Sequence, residues 1–157
     1  MQGVRVRRCE RRDLPQVLAI EQASFTDPYP RAMFEWLLFR MGGGFFVACR
    51  GEVVVGYAVC AVTLRRKGHL VSIAASPGAR RSGVGSLLMR SVVSYLEDKG
   101  VSEVVLEVRM SNQAAIAFYQ KLSFAESGRK PQYYSDGEDA VVMRRRIGLG
   151  SSSGVLL

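Results

Sequence analysis

Two arginines and two glycines have the spacing of a phosphate-binding loop. Arg80, Arg81, Gly83 and Gly85 read R-x-x-G-x-G between a strand-like run and a helix-like run. Glycines let a ligand approach the backbone, and the first amides of a helix lack intrahelical partners. The helix dipole and the arginines add positive charge at the same end, which suits a pyrophosphate. The spacing matches neither G-x-x-x-x-G-K-[ST] nor G-x-G-x-x-G. If the motif is taken alone, the alternative is that it is an ordinary loop with solvated arginines.

Two further side chains could exchange protons with a substrate. Glu107 lies in an alternating run on the same face as Val105 and Arg109, and a carboxylate buried there needs a partner. It either pairs with Arg109 or another basic residue, or acts as a general base directly or through water. His69, the only histidine, opens a neighbouring strand-like run. An imidazole ordinarily has a pKa of about 6.5, so a structural role and a catalytic role both stay open. Two such ligands make a weak metal site, and we predict no metal.

The composition fits one globular domain of 157 residues, with 48% hydrophobic and 23% charged residues. The net charge of +8 suits an anionic cofactor or an acidic partner, whereas scattered basic residues without interleaved aromatics disfavour nucleic acid. Three cysteines without a C-x-x-C argue against a disulfide framework or a cysteine zinc site. Neither a signal-peptide pattern nor a bilayer-spanning run is visible, so we expect a cytoplasmic protein that does not use a membrane.

Hydrophobic periodicity and turn residues predict an α/β single domain with a mixed sheet and the order βααβββαβαββ. The domain is expected over residues 1–147, followed by a loose tail over 148–157. Asp13 is a possible cap of the first helix. The predicted strands cover 4–7, 45–50, 53–64, 68–75, 104–109, 124–127 and 140–146. The predicted helices cover 11–24, 31–40, 84–99 and 113–122, and a loop is expected from 128 to 139.

This order, with the basic loop after the fourth strand, resembles the GNAT N-acetyltransferase superfamily over residues 4–146. Within that superfamily the chain is similar to protein N-terminal acetyltransferases, both the RimI-like ribosomal-protein enzymes and the NatA-type catalytic subunits. Three motifs carry this similarity, at residues 68–75, 106–119 and 133–140. The chain departs from the family at Ala75, where valine is common, and at 77–79, where an aromatic residue or histidine often precedes the arginine. Neither departure removes a chemical group.

The resemblance implies a set of site residues. It places the acetyl carbonyl and pantetheine of acetyl-CoA against backbone amides of a strand splayed from its neighbour. It makes Tyr119 the acid near the cofactor sulfur and Asn112 a cofactor contact, although Asn112 is also a good helix N-cap. The implied cofactor-binding residues are Ile73, Ala74, Ala75, Arg80, Arg81, Ser82, Gly83, Val84, Gly85, Ser86, Asn112 and Tyr119. The implied substrate-binding residues are Tyr29, Ile73, Glu107, Tyr133 and Tyr134, and the implied catalytic residues are Glu107, His69 and Tyr119.

The function expected from the resemblance is transfer of an acetyl group from acetyl-CoA to the N-terminal α-amine of proteins. Direct attack by the amine is favoured, since no cysteine lies in the motifs to form a covalent acetyl-enzyme. Acetylation of lysine or of a small-molecule amine is the second hypothesis, and an acyl-CoA-binding module without turnover is the third. Protein N-termini are the expected partners, and the ribosome or an auxiliary subunit would fit the same family. Asp27 lies near the expected substrate entrance, but we interpret it as an exposed turn residue.

Overall fold

The computed structural model describes residues 3–148, and its helices and strands follow the predicted order βααβββαβαββ. The strands are β1 (Val4–Arg8), β2 (Phe45–Arg50), β3 (Val53–Val62), β4 (Gly68–Ala75), β5 (Glu103–Arg109), β6 (Ala125–Lys130) and β7 (Ala140–Arg146). The helices are α1 (Leu14–Ser24), α2 (Arg31–Met41), α3 (Val84–Asp98) and α4 (Gln113–Lys121). The predicted tail lies outside the described residues from position 149 onward.

Two predicted boundaries are wrong by several residues. The first helix begins at Leu14 rather than at 11, because Arg11–Asp13 form a 3-10 turn. Strand β6 extends to Lys130, so the loop that was expected from 128 begins at 131. The strand continues past Gly128 because this residue pairs with Val142 of β7, and a register irregularity just before it absorbs one extra residue.

The strands are hydrogen-bonded in the order β1-β2-β3-β4-β5-β7-β6, and two compact units can be distinguished. The first unit comprises residues 3–61 and 70–95. Its strands β1, β2 and β3 are antiparallel, and the predicted turn at Gly51 has a φ of +62°. Residues of α1, α2 and these strands form its core, including Leu14, Val17, Phe34, Leu37, Phe45, Val47, Tyr57 and Val59.

The second unit comprises residues 62–69 and 96–148. The start of β4 pairs in parallel with β5, with Gly68 opposite Val104 and His69 opposite Val105. Strand β5 pairs antiparallel with β7, which pairs antiparallel with β6. The predicted alternation of β5 is confirmed, because its even-numbered residues Val104, Leu106 and Val108 are buried while its odd-numbered residues are half-buried. The polar residues of β5 therefore share the other face.

The three cysteines are free thiols in buried positions. Burial raises the pKa of the Cys9 and Cys60 thiols to about 12 in each case, so both remain protonated near neutral pH. Among the helices of residues 3–148, none is both long and apolar enough to cross a membrane.

The carboxylate of Asp13 does not cap α1 as predicted, because its oxygens accept hydrogen bonds from Arg7 and Glu10 instead. Its two oxygens accept hydrogen bonds from the Arg7 guanidinium at 2.7 and 2.9 Å, and Oδ2 also accepts the Glu10 N–H at 2.8 Å. The side chain is almost fully buried. Hydrogen bonding to Arg7 holds the pKa of Asp13 below its usual range, so the carboxylate is ionised at neutral pH.

We expect Asp13→Asn to lower the free energy of unfolding by about 1–3 kcal/mol at pH 7, the scale of hydrogen bonds to charged groups. Because the folded-state pKa of Asp13 is depressed, its contribution is complete above the unfolded value of about 3.9 and is lost as pH falls through the folded value. Urea unfolding of both proteins from pH 7 to pH 3 measures this. The two curves should converge at acid pH; a constant difference would contradict the assignment.

Candidate active site

The predicted phosphate loop is a sharp turn that leads directly into α3. Arg81 and Gly83 both have left-handed backbone, with φ of +62° and +90°. The Leu87 N–H donates to the Gly83 oxygen at 3.1 Å as α3 begins. The amides before it, those of Val84, Gly85 and Ser86, thus belong to the helical turn that has no intrahelical acceptor. Their positions fit the predicted contacts to a pyrophosphate.

The two arginines of the loop have different surroundings. Arg80 donates from Nε to the Ala75 oxygen at 3.1 Å and from Nη2 to Ser24 Oγ at 2.9 Å, which fixes the loop to the end of β4 and to the end of α1. Arg81 is exposed, and Ser82 Oγ donates to the Ala79 oxygen. Arg80 therefore connects the loop to β4 and α1, while the side chain of Arg81 is exposed.

The predicted acetyl-binding segment lies at the end of β4. Ile73, Ala74 and Ala75 are half-buried, and the next N–H, that of Ser76, donates to the Val55 oxygen at 2.8 Å. Strand β3 lies close to this segment. A Cβ added at Gly56 of β3 would be only 3.1 Å from the Ala74 oxygen. Strand β3 thus packs against one side of this segment.

Glu107 and His69, the two predicted proton-exchanging side chains, are hydrogen-bonded to each other. His69 Nε2 lies 2.7 Å from Glu107 Oε1, and Lys130 Nζ donates to Glu107 Oε2 at 3.1 Å. The Glu107 side chain is only 10% exposed, whereas that of His69 is 33% exposed. Arg109, the partner considered in the sequence, binds other carboxylates instead. Within residues 3–148 no group of three or more metal-type ligands occurs.

Burial and hydrogen bonding act in opposite directions on Glu107. Burial alone raises the pKa of a carboxyl group, but the hydrogen bonds with His69 and Lys130 outweigh it, and the pKa of Glu107 lies below its ordinary value. Glu107 is therefore an ionised acceptor at neutral pH, in contact with the imidazole of His69.

Tyr119 and Asn112 lie on α4. Tyr119 is buried and packs edge-on against Phe118 and Phe124. Burial, and then the nearby Tyr134, raise the pKa of its phenol, so Tyr119 keeps its proton. Asn112 is the N-cap of α4, and its Oδ1 accepts the Ala115 N–H at 3.1 Å. The structural interpretation of Asn112 as an N-cap is confirmed, and its amide NH₂ takes no part in the cap.

The tyrosines of the predicted substrate loop are held by an ion cluster. Tyr133 and Tyr134 stack edge to face with ring centroids 5.0 Å apart. The Arg109 guanidinium lies 4.2 Å from the Tyr134 ring centroid and donates to Glu138 at 2.8 Å and Asp136 at 2.9 Å. These contacts tie the loop between β6 and β7 to the end of β5.

The other predicted substrate residues lie in the first unit. Tyr29 is 36% exposed, packs edge-on against Phe34, and donates its backbone N–H to Glu21 Oε2 at 2.9 Å. Asp27 is exposed, as expected for a turn residue.

The second unit thus brings Glu107, His69 and Lys130 together, and the first unit brings Arg80 to the end of β4. Sequence reasoning missed Lys130 and the ion cluster around Arg109. The sequence pattern places Lys130 in a loop, and only the full extent of β6 indicates that Lys130 is a partner of Glu107. Glu138 and Asp136, in contrast, stand in the acidic loop motif and could have been paired with Arg109.

Residues 8–124, most of the chain, match the family described as Acetyltransferase (GNAT) family. The chain belongs to the GNAT acetyltransferase family. Its sheet order and its basic loop before α3 are consistent with that fold, so the predicted fold class is confirmed. GNAT acetyltransferases use acetyl-CoA as acetyl donor, and the turn at Arg81 and Gly83 fits such an anionic ligand.

Several relatives align over most of their length. An N-alpha-acetyltransferase of Saccharolobus solfataricus is 37% identical over 147 residues, which cover 86% of this chain and 88% of the relative. The [ribosomal protein bS18]-alanine N-acetyltransferase of Escherichia coli is 34% identical, covering 89% of this chain and 95% of the relative. The crystal structure of Ard1 from Thermoplasma volcanium superposes with a TM-score of 0.89 at 32% identity, covering 92% of this chain and 98% of the other.

We expect Gly83→Val to weaken acetyl-CoA binding at least about tenfold, equivalent to ~1.4 kcal/mol. Valine is strained at a φ of +90° and adds a branched Cβ where phosphates would approach the turn. Calorimetric titration with acetyl-CoA measures the loss. Gly78→Val is the matched control, because a Cβ at Gly78 meets open space. Unchanged affinity in a folded Gly83→Val protein would show that the loop does not bind the cofactor.

Proposed function

We propose that this protein transfers the acetyl group of acetyl-CoA to the N-terminal α-amine of proteins. The observation that carries the proposal is the half-buried, ionised Glu107 hydrogen-bonded to His69 at 2.7 Å in a GNAT chain. The relatives from S. solfataricus and E. coli, named for α-amino and alanine N-acetylation, support the same acceptor. Lysine or small-molecule acetylation and binding without turnover are less favoured.

The chemistry of an α-amine suits a base of modest strength. An α-amine has a pKa of about 7.7–8.0, compared with about 10.4 for lysine, so a useful fraction is already deprotonated near neutral pH. The bound donor supplies the acetyl thioester. Glu107, ionised and in contact with His69, accepts the remaining proton directly or through water, and His69 shares it across their 2.7 Å contact.

The leaving thiolate requires an acid, and Tyr119 has suitable properties. Its phenol is protonated because burial raises its pKa, and it lies on α4, which is capped by Asn112. Backbone amides at the end of β4 and at the start of α3 are assigned to the acyl and phosphate parts of the donor. Tyr29, Tyr133 and Tyr134 are assigned to the acceptor peptide.

The natural acceptor is proposed from the relatives. The E. coli relative acts on ribosomal protein bS18, so a ribosomal protein or another newly made chain is the proposed substrate class. A cytoplasmic location follows from that substrate. Binding of an auxiliary subunit to this protein stays a prediction.

A panel of short peptides incubated with acetyl-CoA and analysed by mass spectrometry tests the function. The panel holds each sequence in three forms: with a free α-amine, with a blocked α-amine and an internal lysine, and with both amines free. Acetylation confined to free α-amines supports the proposal. Acetylation of lysine or of free small amines favours the second hypothesis, and calorimetric acetyl-CoA binding without any product favours a binding module.

Tyr119→Phe should lower turnover about 10²–10⁴-fold, the usual contribution of a general acid, with acetyl-CoA affinity nearly unchanged. The substitution removes the phenol hydroxyl but keeps the ring packing against Phe118 and Phe124. Steady-state kinetics and calorimetry separate the two effects. Tyr95→Phe, which removes a phenol hydroxyl from α3, is the matched control. Wild-type turnover in Tyr119→Phe would leave Tyr119 as a packing residue only.

Lys130→Met should move the acidic limb of the kcat/KM profile to higher pH. The ammonium group of Lys130 helps to lower the pKa of Glu107, so its removal raises that pKa and leaves less ionised base at acid pH. Arg129→Met removes one positive charge from the adjacent position, where the side chain pairs with Glu126, and should leave the limb in place. If both variants shift the profile equally, or neither does, Glu107 is not the titrating base.

A further inference from the structure

A second carboxylate is buried in the first unit, and the proposed chemistry does not use it. Glu21 is 2% exposed and lies on α1 on the same face as the buried Leu14 and Val17. Among residues 3–148, Glu21 takes part in no ion pair. A carboxylate in such a place must be satisfied by neutral hydrogen-bond donors.

The two oxygens of Glu21 accept hydrogen bonds from two different parts of the chain. Oε1 accepts from the Tyr57 hydroxyl on β3, and Oε2 accepts the backbone N–H of Tyr29 at 2.9 Å. Burial raises the pKa of Glu21, and these two hydrogen bonds act in the opposite direction. The carboxylate therefore depends on both donors to remain in its buried position.

The network continues from Tyr57 to strand β4. Tyr57 Oη lies 2.8 Å from Ser72 Oγ. A phenol has one proton, and Tyr57 donates it to Glu21, so Ser72 must donate to Tyr57. Tyr57 is fully buried, so its hydroxyl has no direct contact with solvent.

Aromatic packing reinforces the same connection. The Phe34 ring contacts Tyr57 edge-on with centroids 5.7 Å apart and Tyr29 edge-on at 6.0 Å. A backbone hydrogen bond to Glu21 and a ring contact with Phe34 thus both connect the segment at Tyr29 to Tyr57. One buried cluster connects α1, the segment between α1 and α2, β3 and β4.

We propose that Glu21 is a positioning residue for the acetyl acceptor, because its carboxylate joins the Tyr29 segment to the Ser72 position of β4. Ser72 immediately precedes Ile73, so the two residues assigned to the acceptor in this unit, Tyr29 and Ile73, depend on one carboxylate. This inference rests on the proposed function. Glu21 itself contacts no reacting atom in this arrangement and acts through its neighbours.

Glu21→Gln tests the inference, because the amide group has one accepting oxygen and a competing NH₂ donor. It can accept from Tyr57 or from Tyr29, but not from both through separate oxygens. We expect KM for an acceptor peptide to rise about tenfold, which corresponds to the loss of one charge-assisted hydrogen bond. The affinity for acetyl-CoA, measured by calorimetry, should not change.

Asp13→Asn is the matched control, since it also neutralises a buried carboxylate of the first unit but contacts neither Tyr29 nor Ser72. It should lower stability without changing the peptide KM. Tyr57→Phe provides a second variant, which leaves the Tyr29 hydrogen bond to Glu21 in place and breaks the connection to Ser72. It should also raise the peptide KM, and it keeps the inference testable if Glu21→Gln does not fold.

Hydrogen exchange at the Tyr29 amide measures positioning without turnover. Glu21→Gln should speed this exchange at least about tenfold, and Asp13→Asn should not, because Glu21, and not Asp13, accepts the Tyr29 N–H. Unchanged exchange and unchanged KM in Glu21→Gln, or equal effects in Asp13→Asn, would overturn the inference. If the wild-type protein acetylates no peptide, the proposed function fails, and the exchange rates still decide whether Glu21 positions this segment.

Discussion

The need to satisfy a carboxylate on a central strand organises the second unit. Glu107 lies two residues beyond Val105, which pairs with His69 across the parallel strands β4 and β5, so the imidazole reaches the carboxylate from the same face. Lys130 reaches it from β6, whose register through β7 brings Lys130 opposite Ala140. The parallel pairing of β4 with β5 thus brings His69 to Glu107, and the antiparallel pairing of β5, β7 and β6 brings Lys130 to it. Glu107 has both partners only if both registers are kept.

Periodicity predicted this fold well wherever one face of an element is buried. Strand β5 alternates between buried and half-buried residues, and β4 and β7 have the bounds that their sequence patterns indicate. Strand β6 gives no such signal, because all six of its residues are exposed and its hydrogen bonds to β7 alone define it. For that reason its end was misplaced, and Lys130 was missed as a partner of Glu107.

The candidate site was predictable in its residue types but not in its partners. The basic loop, Glu107 and His69 could be named because their residue types occur in local sequence patterns. The role of Arg80 as a tie to Ser24 depends on a contact across 56 residues, and that of Glu21 on a contact to Tyr57 across 36. A carboxylate at a buried position of α1 was the available signal for Glu21, but its partners follow only from the packed structure.

Glu107 and Glu21 show how the type of donor decides what a carboxyl group can do. Glu107 has His69 and the Lys130 ammonium group as partners, so its pKa falls despite burial. Glu21 has only neutral donors, so burial raises its pKa, and its charge is committed to the hydrogen bonds that hold it. His69, the partner of Glu107, is partly exposed, whereas Tyr57, the partner of Glu21, is fully buried. The same chemical group therefore suits proton transfer in one place and fixed geometry in the other.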